Sequence, residues 1–424
     1  MWPEFLVFAQ CCVFVLGFIR LFRSDRLAGL YFAALFVYGI FAQIGYFFRP
    51  DLSQDIKAYF GEEVGVTAAW CVLLSLAGFA ILAKHIEWIG ARLFPFSIEV
   101  SRSASARWRP WGYGVLALVV VFQACYLVMH RSELGWLSVQ ELTDVADNPS
   151  MGLFVALHKL MVGWLVVVYA MLRSNDVAGQ MRVLICIGGC MLAVFSVTGA
   201  ILGNRTDFVA LFLGVACYEA YRTRFSVRVV GIWSLVLVVV YIGLTVLEYA
   251  RYDVPPEATD RVAAWLGKDY YAPAHMLFAV VSLDFVRPTE VVASNVANML
   301  VRVGHPYLQE TITELFNPGV ATRSAGYAFY VFAEGYAFMG MWGWIYNAVV
   351  LTLMLAFWRR LSASRDDMFN LTLKAIMACM LINLSRGQSS YFVKYLYSFC
   401  LPSLIVYIAL GARRVRVRLA VSVA

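Results

Sequence analysis

Two short polar segments interrupt apolar stretches of this sequence, and each carries a single arginine. The first is Gly-Asn-Arg-Thr-Asp at 203–207, which contains Arg205, and the second is Ser-Arg-Gly-Gln-Ser-Ser at 385–390, which contains Arg386. A guanidinium group donates two parallel hydrogen bonds, so both arginines are candidate ligands of a phosphate or diphosphate. Each also has a structural explanation: Arg205 pairs with Asp207 and caps the turn, or Arg386 snorkels from an interfacial turn.

Two further residues are candidates for proton transfer. Glu334 stands in the apolar stretch Phe-Ala-Glu-Gly-Tyr-Ala-Phe. A charge in hydrocarbon costs about 2.5–3.5 kcal/mol at a helix centre. We therefore expect Glu334 to be either a catalytic base or the partner of an arginine. His305 precedes Pro306 at a predicted helix start, where it is either a second candidate base or a capping or surface residue.

Other candidate binding residues are cationic or aromatic. The aromatic residues within 249–330, a predicted loop on the outer side of the membrane, predict either an interfacial belt or a groove on which sugar rings stack. The cationic residues are secondary candidates for binding an anion. The set comprises Arg251, Arg323, Tyr252, Tyr327, Lys394 and Lys159.

Several classes of chemistry lack their motifs. The sequence contains no phosphate-binding glycine loop, no Asp-x-Asp pair and no His-Glu-x-x-His. The five histidines are scattered, and Cys186 and Cys190 have no further ligand nearby. We therefore predict no cofactor and no metal. The net charge of +7 comes without a basic stripe interleaved with aromatics, which argues against nucleic acid.

The elements that must position these residues are membrane helices. The chain has 424 residues, of which 62% are hydrophobic and 14% charged, whereas soluble domains carry roughly 25% charged residues. Apolar runs long enough to span predict an all-α, polytopic membrane protein with about 11 transmembrane helices. The predicted spans are 3–19, 27–48, 64–83, 111–130, 152–172, 183–202, 206–221, 229–248, 336–357, 368–384 and 391–411.

The distribution of basic residues predicts the orientation. Lys and Arg concentrate in alternate short loops, which places the N-terminus in the periplasm and the C-terminus in the cytoplasm. We expect the first apolar run to be a retained helix. Residues 1–248 then hold helices 1–8, and residues 331–424 hold helices 9–11 with a basic cytoplasmic tail. Residues 249–330 form one large periplasmic loop of short amphipathic helices, in which Leu308, Ile312 and Leu315 share a face.

Four features together resemble a known family. They are Gly203-Asn204-Arg205 before an apolar helix, one large outer loop, a Tyr- and Gly-rich return through 326–340, and Ser385-Arg386-Gly387 followed by Pro402. In these features the chain resembles the Wzy-type O-antigen and oligosaccharide repeat-unit polymerases of bacteria, which are relatives of the O-antigen ligases.

The resemblance implies a metal-independent integral-membrane glycosyltransferase of the GT-C kind in the bacterial inner membrane. Its donor and acceptor would be undecaprenyl-diphosphate-linked glycans at the periplasmic face. A chain-length regulator, a flippase and membrane lipid would be further partners. On this basis, we expect Arg205 and Arg386 to bind the diphosphate and stabilise the departing phosphate. Glu334, or failing it His305, would orient or deprotonate the acceptor hydroxyl.

Three alternatives remain open at this stage. An O-antigen ligase shares the donor and architecture but transfers glycan to the lipid A core. A flippase or other transporter of lipid-linked oligosaccharides is the second alternative, although transporters tend to place broken helices and ionisable residues at the midplane. A non-enzymatic membrane scaffold is the third.

Overall fold

The fold is taken from a computed structural model of the chain. It describes residues 2–48, 60–102, 205–252, 275–300, 307–316, 329–362, 367–401 and 412–419, with isolated positions between 117 and 173. The described residues are predominantly helical, in agreement with the predicted class. The structure adds a two-stranded sheet that the prediction did not include.

The helices and strands follow in chain order. The helices are α1 (Trp2–Ser24), α2 (Arg26–Phe48), α3 (Glu62–Leu82), α4 (Ile86–Leu93), α5 (Arg205–Arg222), α6 (Val227–Tyr252), α7 (Pro288–Leu300), α8 (Leu308–Phe316), α9 (Val331–Met339), α10 (Gly343–Leu361), α11 (Asp367–Ser385) and α12 (Ser390–Tyr395). The strands are β1 (Phe96–Arg102) and β2 (Ala412–Leu419). Residues 275–282 are also helical.

Within the described residues, four helical stretches are long and apolar enough to cross a membrane. They are Pro3–Ser24, Arg26–Phe48, Glu62–Leu93 and Val331–Leu361. Val227–Gly243 and Phe369–Leu381 are shorter apolar helices. These helices are consistent with a multi-pass membrane protein. The predicted spans at 111–130, 152–172 and 183–202 fall largely outside the described residues, so the total of about 11 and the orientation stay predictions.

The chain divides into two compact units. The first unit comprises residues 1–95, 256–360 and 381–394, and the second comprises 96–255, 361–380 and 395–424. In the first unit, a buried polar side chain joins α1, α2 and α3. Gln10 on α1 donates from Nε2 to Gln43 Oε1 at 2.6 Å and to the carbonyl of Ala69 at 2.9 Å. Such interhelical hydrogen bonds stabilise helix association in lipid, where hydrophobic burial drives it weakly.

An arginine in the first unit forms ion pairs with two acidic residues. Arg359, in the last turn of α10, bridges the Asp25 carboxylate at 3.3 Å and the Glu87 carboxylate. Asp25 also caps α2, because its Oδ1 accepts the backbone N–H of Leu27 at 3.0 Å. These contacts tie the start of α2 to the end of α10.

Glycines allow α9 and α10 to pack closely. The two helices are separated by a short turn, Gly340–Trp342, in which Gly340 has φ +58°. A Cβ atom added at Gly335 would overlap the Gly343 carbonyl, and one added at Gly343 would overlap the Gly335 backbone. The sequence predicted a span at 336–357. The stretch Val331–Leu361 is long enough to cross a membrane, but the turn at Gly340–Trp342 divides it into two helices.

The second unit contains the sheet and a clamp around Glu219. β1 pairs with β2 antiparallel, with Glu99 opposite Arg416. Residues 412–419, within the segment predicted as a basic tail, thus form a strand. On α5, the Glu219 carboxylate lies 2.9 Å from the Nε of Arg173 and 3.4 Å from the Nε of Arg222. This arrangement satisfies a carboxylate whose residue is only 6% exposed.

Removing the close approach of α9 and α10 should destabilise the protein. Gly335→Ala and Gly343→Ala force backbone apart, and such overpacking costs about 1–3 kcal/mol. We therefore expect a lower unfolding temperature in detergent for either variant. Gly231→Ala on α6 is the matched control, because a Cβ there meets nothing within 4 Å. Alanine should be neutral or stabilising at that position. Equal unfolding temperatures for all three variants would contradict the packing described.

Candidate functional site

The centre of the candidate site is the carboxylate of Glu334, in the first turn of α9. Residues 331–337 of this helix are all buried, and Glu334 is 0% exposed. The helix has no polar face because its neighbouring residues are Phe, Ala, Gly and Tyr. Glu334 must therefore find its hydrogen-bond partners on other elements.

Those partners come from α7, α10 and the segment before α12. Asn295 Nδ2 donates to Glu334 Oε1 at 2.6 Å, and the Tyr346 hydroxyl donates to the same oxygen at 2.5 Å. Ser389 donates twice, from Oγ to Oε1 and from its backbone N–H to Oε2, both at 2.6 Å. We call Glu334, Asn295, Tyr346 and Ser389 the Glu334 cluster.

The donors that the structure shows around this carboxylate are neutral. Among the residues that the structure describes, no Lys or Arg forms an ion pair with Glu334. Hydrogen bonds to a charged group contribute roughly 1.5–3 kcal/mol each, which offsets the cost of burying the carboxylate. In the described part of the chain, amide, hydroxyl and backbone N–H groups bind this carboxylate, and its pairing with an arginine stays a prediction.

The residue before Asn295 extends the cluster. Ser294 Oγ accepts the backbone N–H of Leu308, the first residue of α8, at 2.9 Å. Gln388 Nε2 donates to the same Oγ at 3.3 Å. The neighbouring residues Ser294 and Asn295 thus connect α7 to α8, to the polar segment 385–390 and to α9.

Arg386 belongs to that polar segment and is half-buried. It makes no hydrogen bond or ion pair with any residue in the described part of the chain. It precedes Gln388 and Ser389, which bond to Ser294 and Glu334. A partly desolvated guanidinium beside a fixed polar network is suited to bind an anion.

Lys394 is held by two tyrosines. Its Nζ lies 3.2 Å from the Tyr307 hydroxyl and 5.5 Å and 5.6 Å from the ring centroids of Tyr307 and Tyr391. The two rings contact edge to face, with centroids 6.2 Å apart. This cation–π arrangement joins the start of α8 to α12. It gives Lys394 a structural role, with its predicted role as an anion ligand untested.

The remaining predicted site residues are incompletely described. Arg205 begins α5, and Arg251 and Tyr252 end α6, but their side chains lie outside the described structure. Lys159, His305, Arg323 and Tyr327 lie wholly outside it. Convergence of Arg205 with Arg386 therefore stays a prediction. His275, within the predicted loop of residues 249–330, is described, and burial lowers the pKa of its imidazole to about 4, so it supplies no cation at neutral pH.

Sequence reasoning missed three residues at this site. Ser294 and Asn295 are ordinary polar residues in a short helix, and nothing in their spacing distinguishes them. Tyr346 lies in an apolar span, where a tyrosine is common. A usable signal was Glu334 itself, because a buried carboxylate requires several donors. The sequence does not identify which residues supply those donors.

Comparison of the chain with protein-family models, with curated proteins and with solved structures finds no match.

A double-mutant cycle should reveal the hydrogen bond between Asn295 and Glu334. In Glu334→Gln, the new amide nitrogen faces one of two donors, Asn295 Nδ2 or the Ser389 N–H, so a hydrogen bond is lost. In Asn295→Asp, two carboxylates face each other and repel. We expect each single variant to lose about 1–3 kcal/mol of stability. The double variant restores a donor–acceptor pair with one charge, so its loss should be well below the sum. Additive losses, measured by unfolding in detergent, would contradict this contact.

Proposed function

We propose that this protein is an integral-membrane glycosyltransferase that polymerises undecaprenyl-diphosphate-linked repeat units at the periplasmic face of the bacterial inner membrane. The observation that carries the proposal is the pairing of two features in the first unit. One is Arg386, a half-buried arginine that bonds to no described residue. The other is the Glu334 cluster. Its member Ser389 lies three residues after Arg386 and donates two hydrogen bonds to Glu334. The resemblance in motifs at 203–205 and 385–387 supports the same activity.

The proposed reaction forms one glycosidic bond and breaks one sugar–phosphate bond. The hydroxyl at the non-reducing end of the acceptor unit attacks the anomeric carbon of the donor glycan. Undecaprenyl diphosphate departs with the bonding electron pair, and the hydroxyl proton passes to a base. The energy comes from the sugar–diphosphate linkage, so the reaction needs no nucleotide. Donors fixed where charge develops stabilise such a transition state.

Arg386, together with Arg205, would bind the diphosphate in this scheme. A guanidinium group donates two parallel hydrogen bonds to phosphate oxygens and stays charged at any physiological pH. Two such groups offset the charge that develops on the leaving diphosphate, which is the role a divalent cation has in many other glycosyl transfers. Arg251, Arg323, Lys159 and Lys394 are secondary candidates for this role.

Glu334 has a different part in this proposal. It has no solvent exposure, and its oxygens already accept hydrogen bonds from Asn295, Tyr346 and Ser389. This geometry favours a positioning role, in which Glu334 fixes the donors around it and the half-buried Ser389 contacts the substrate. His305 and Glu334 are the two candidates for the base itself.

Substitution of Arg386 tests the proposal in cells. In a strain that lacks the gene, Arg386→Ala should fail to restore the ladder of long lipopolysaccharide chains, because loss of one transition-state donor costs about 10²–10³-fold in rate. Arg386→Lys should restore it partially, since the charge remains and the planar fork is lost. The measurement is the band pattern on a lipopolysaccharide gel.

Arg287→Ala is the matched control. Arg287 is an exposed arginine near the start of α7 that already pairs with Glu290 at 3.0 Å, so its loss should leave the ladder normal. Normal ladders with Arg386→Ala would overturn the role of Arg386. The deletion strain separates the alternatives. Single repeat units on the lipid A core indicate a polymerase, bare core indicates a ligase, and an unchanged pattern excludes both.

A further inference from the structure

We propose that Asn295 is a sugar-binding residue whose side-chain oxygen accepts a hydrogen bond from the sugar attached directly to the diphosphate. This inference rests on the proposed function and adds to it a subsite and the chemistry that the subsite recognises.

The orientation of the Asn295 amide is fixed by its neighbours. Its Nδ2 lies 2.6 Å from Glu334 Oε1 and 3.4 Å from the Tyr346 hydroxyl. A carboxylate only accepts hydrogen bonds, and an amide oxygen cannot donate one. The nitrogen must therefore face Glu334, and Oδ1 points away from it. Amide orientation, which is often ambiguous, is determined here by the chemistry of the contact.

Asn295 Oδ1 is a buried acceptor without a donor. Asn295 is 7% exposed, and its Oδ1 has no hydrogen-bond partner among the described residues. An unpaired buried polar atom costs about 1–3 kcal/mol, so such atoms in native proteins call for an explanation. Ser390 Oγ is in the same condition and follows Ser389, which bonds to Glu334. The two unsatisfied atoms thus belong to one member of the Glu334 cluster and to the residue that follows another member.

A second buried asparagine, Asn347, provides a comparison for the Asn295 side chain. Asn347 Nδ2 donates to Ser75 Oγ at 3.0 Å and to the Phe332 carbonyl at 3.2 Å. Its Oδ1 also lacks a hydrogen bond, but it lies against Gly335, where a Cβ would overlap it. The space beside this oxygen is occupied by backbone.

The chemistry of Oδ1 selects the ligand group. An amide oxygen repels a phosphate oxygen and accepts a hydrogen bond from a hydroxyl or an amide N–H. Sugars and N-acetylated sugars carry these donors. The Glu334 cluster approaches the surface at Tyr346 and Ser389, which are only half-buried. A ligand can reach the cluster from that side.

The distance to Arg386 suggests which sugar would bind. Arg386 and Ser389 are separated by three residues, which span at most roughly 11 Å of extended chain. Ser389 and Asn295 both bond to Glu334 Oε1, each at 2.6 Å. The proposal therefore places a diphosphate on Arg386 beside this cluster. The sugar next to the diphosphate fits that spacing.

Two lipid probes test the inference on the purified full-length protein in nanodiscs. One is undecaprenyl diphosphate, and the other is undecaprenyl diphosphate carrying a single N-acetylhexosamine. The unmodified protein should bind the sugar-bearing probe more tightly. Asn295→Ala should weaken that probe roughly 3- to 10-fold, the value of one hydrogen bond, and leave the sugar-free probe unchanged. Asn347→Ala is the matched control and should keep the preference.

The outcomes separate this inference from the proposed function. Arg386→Ala should weaken both probes to a similar extent, and no effect on either would overturn the proposed function. If Arg386→Ala weakens both while Asn295→Ala keeps the full preference, only the present inference fails. Equal affinity of the unmodified protein for both probes also overturns it.

If Asn295→Ala does not fold, the combined Asn295→Asp and Glu334→Gln variant retains an oxygen there. Loss of the sugar preference in that variant contradicts the inference.

Discussion

The first unit depends on burying one carboxylate inside an apolar helix. Glu334 is 0% exposed, and its own helix offers no donor. The donors arrive from residues 295, 346 and 389, which belong to α7, α10 and the segment before α12. A buried charge without such partners costs several kcal/mol. The carboxylate therefore constrains where three other elements of this unit lie, and its hydrogen bond to Asn295 holds α7 against α9.

Close packing of α9 and α10 makes this constraint possible. Glu334 immediately precedes Gly335, and Tyr346 follows Gly343 by one turn of helix. Because neither glycine has a side chain, the two backbones approach until the Tyr346 hydroxyl reaches Glu334. Larger residues at these positions would separate the helices and lengthen that hydrogen bond. The glycines and the carboxylate thus act as one structural feature.

Hydropathy predicted the long helices well, because a membrane helix is a continuous run of apolar residues in the sequence. The spans predicted at 3–19 and 64–83 correspond to Trp2–Ser24 and Glu62–Leu82. Glu334 and the segment 385–390 were also identifiable, since polar residues are conspicuous in apolar runs. The strand pairing and the donors to Glu334 could not be predicted, because they depend on residues that are distant in sequence. β1 and β2 alternate visibly, but neither indicates its partner. Of the three residues predicted to share a face, Leu308 and Ile312 are buried and Leu315 is 49% exposed.

The hydrogen bonds of the Glu334 cluster also determine what the site can recognise. The hydroxyl protons of Tyr346 and Ser389 point to Glu334, so their lone pairs are what they present to a ligand. The Asn295 oxygen is likewise an acceptor. A cluster of acceptors favours hydroxyl-rich ligands and disfavours phosphate. Arg386 has the opposite preference, because a guanidinium only donates. Under the proposed function, a sugar linked to a diphosphate would require both kinds of group, and residues 386 and 389 carry them within three positions of the chain.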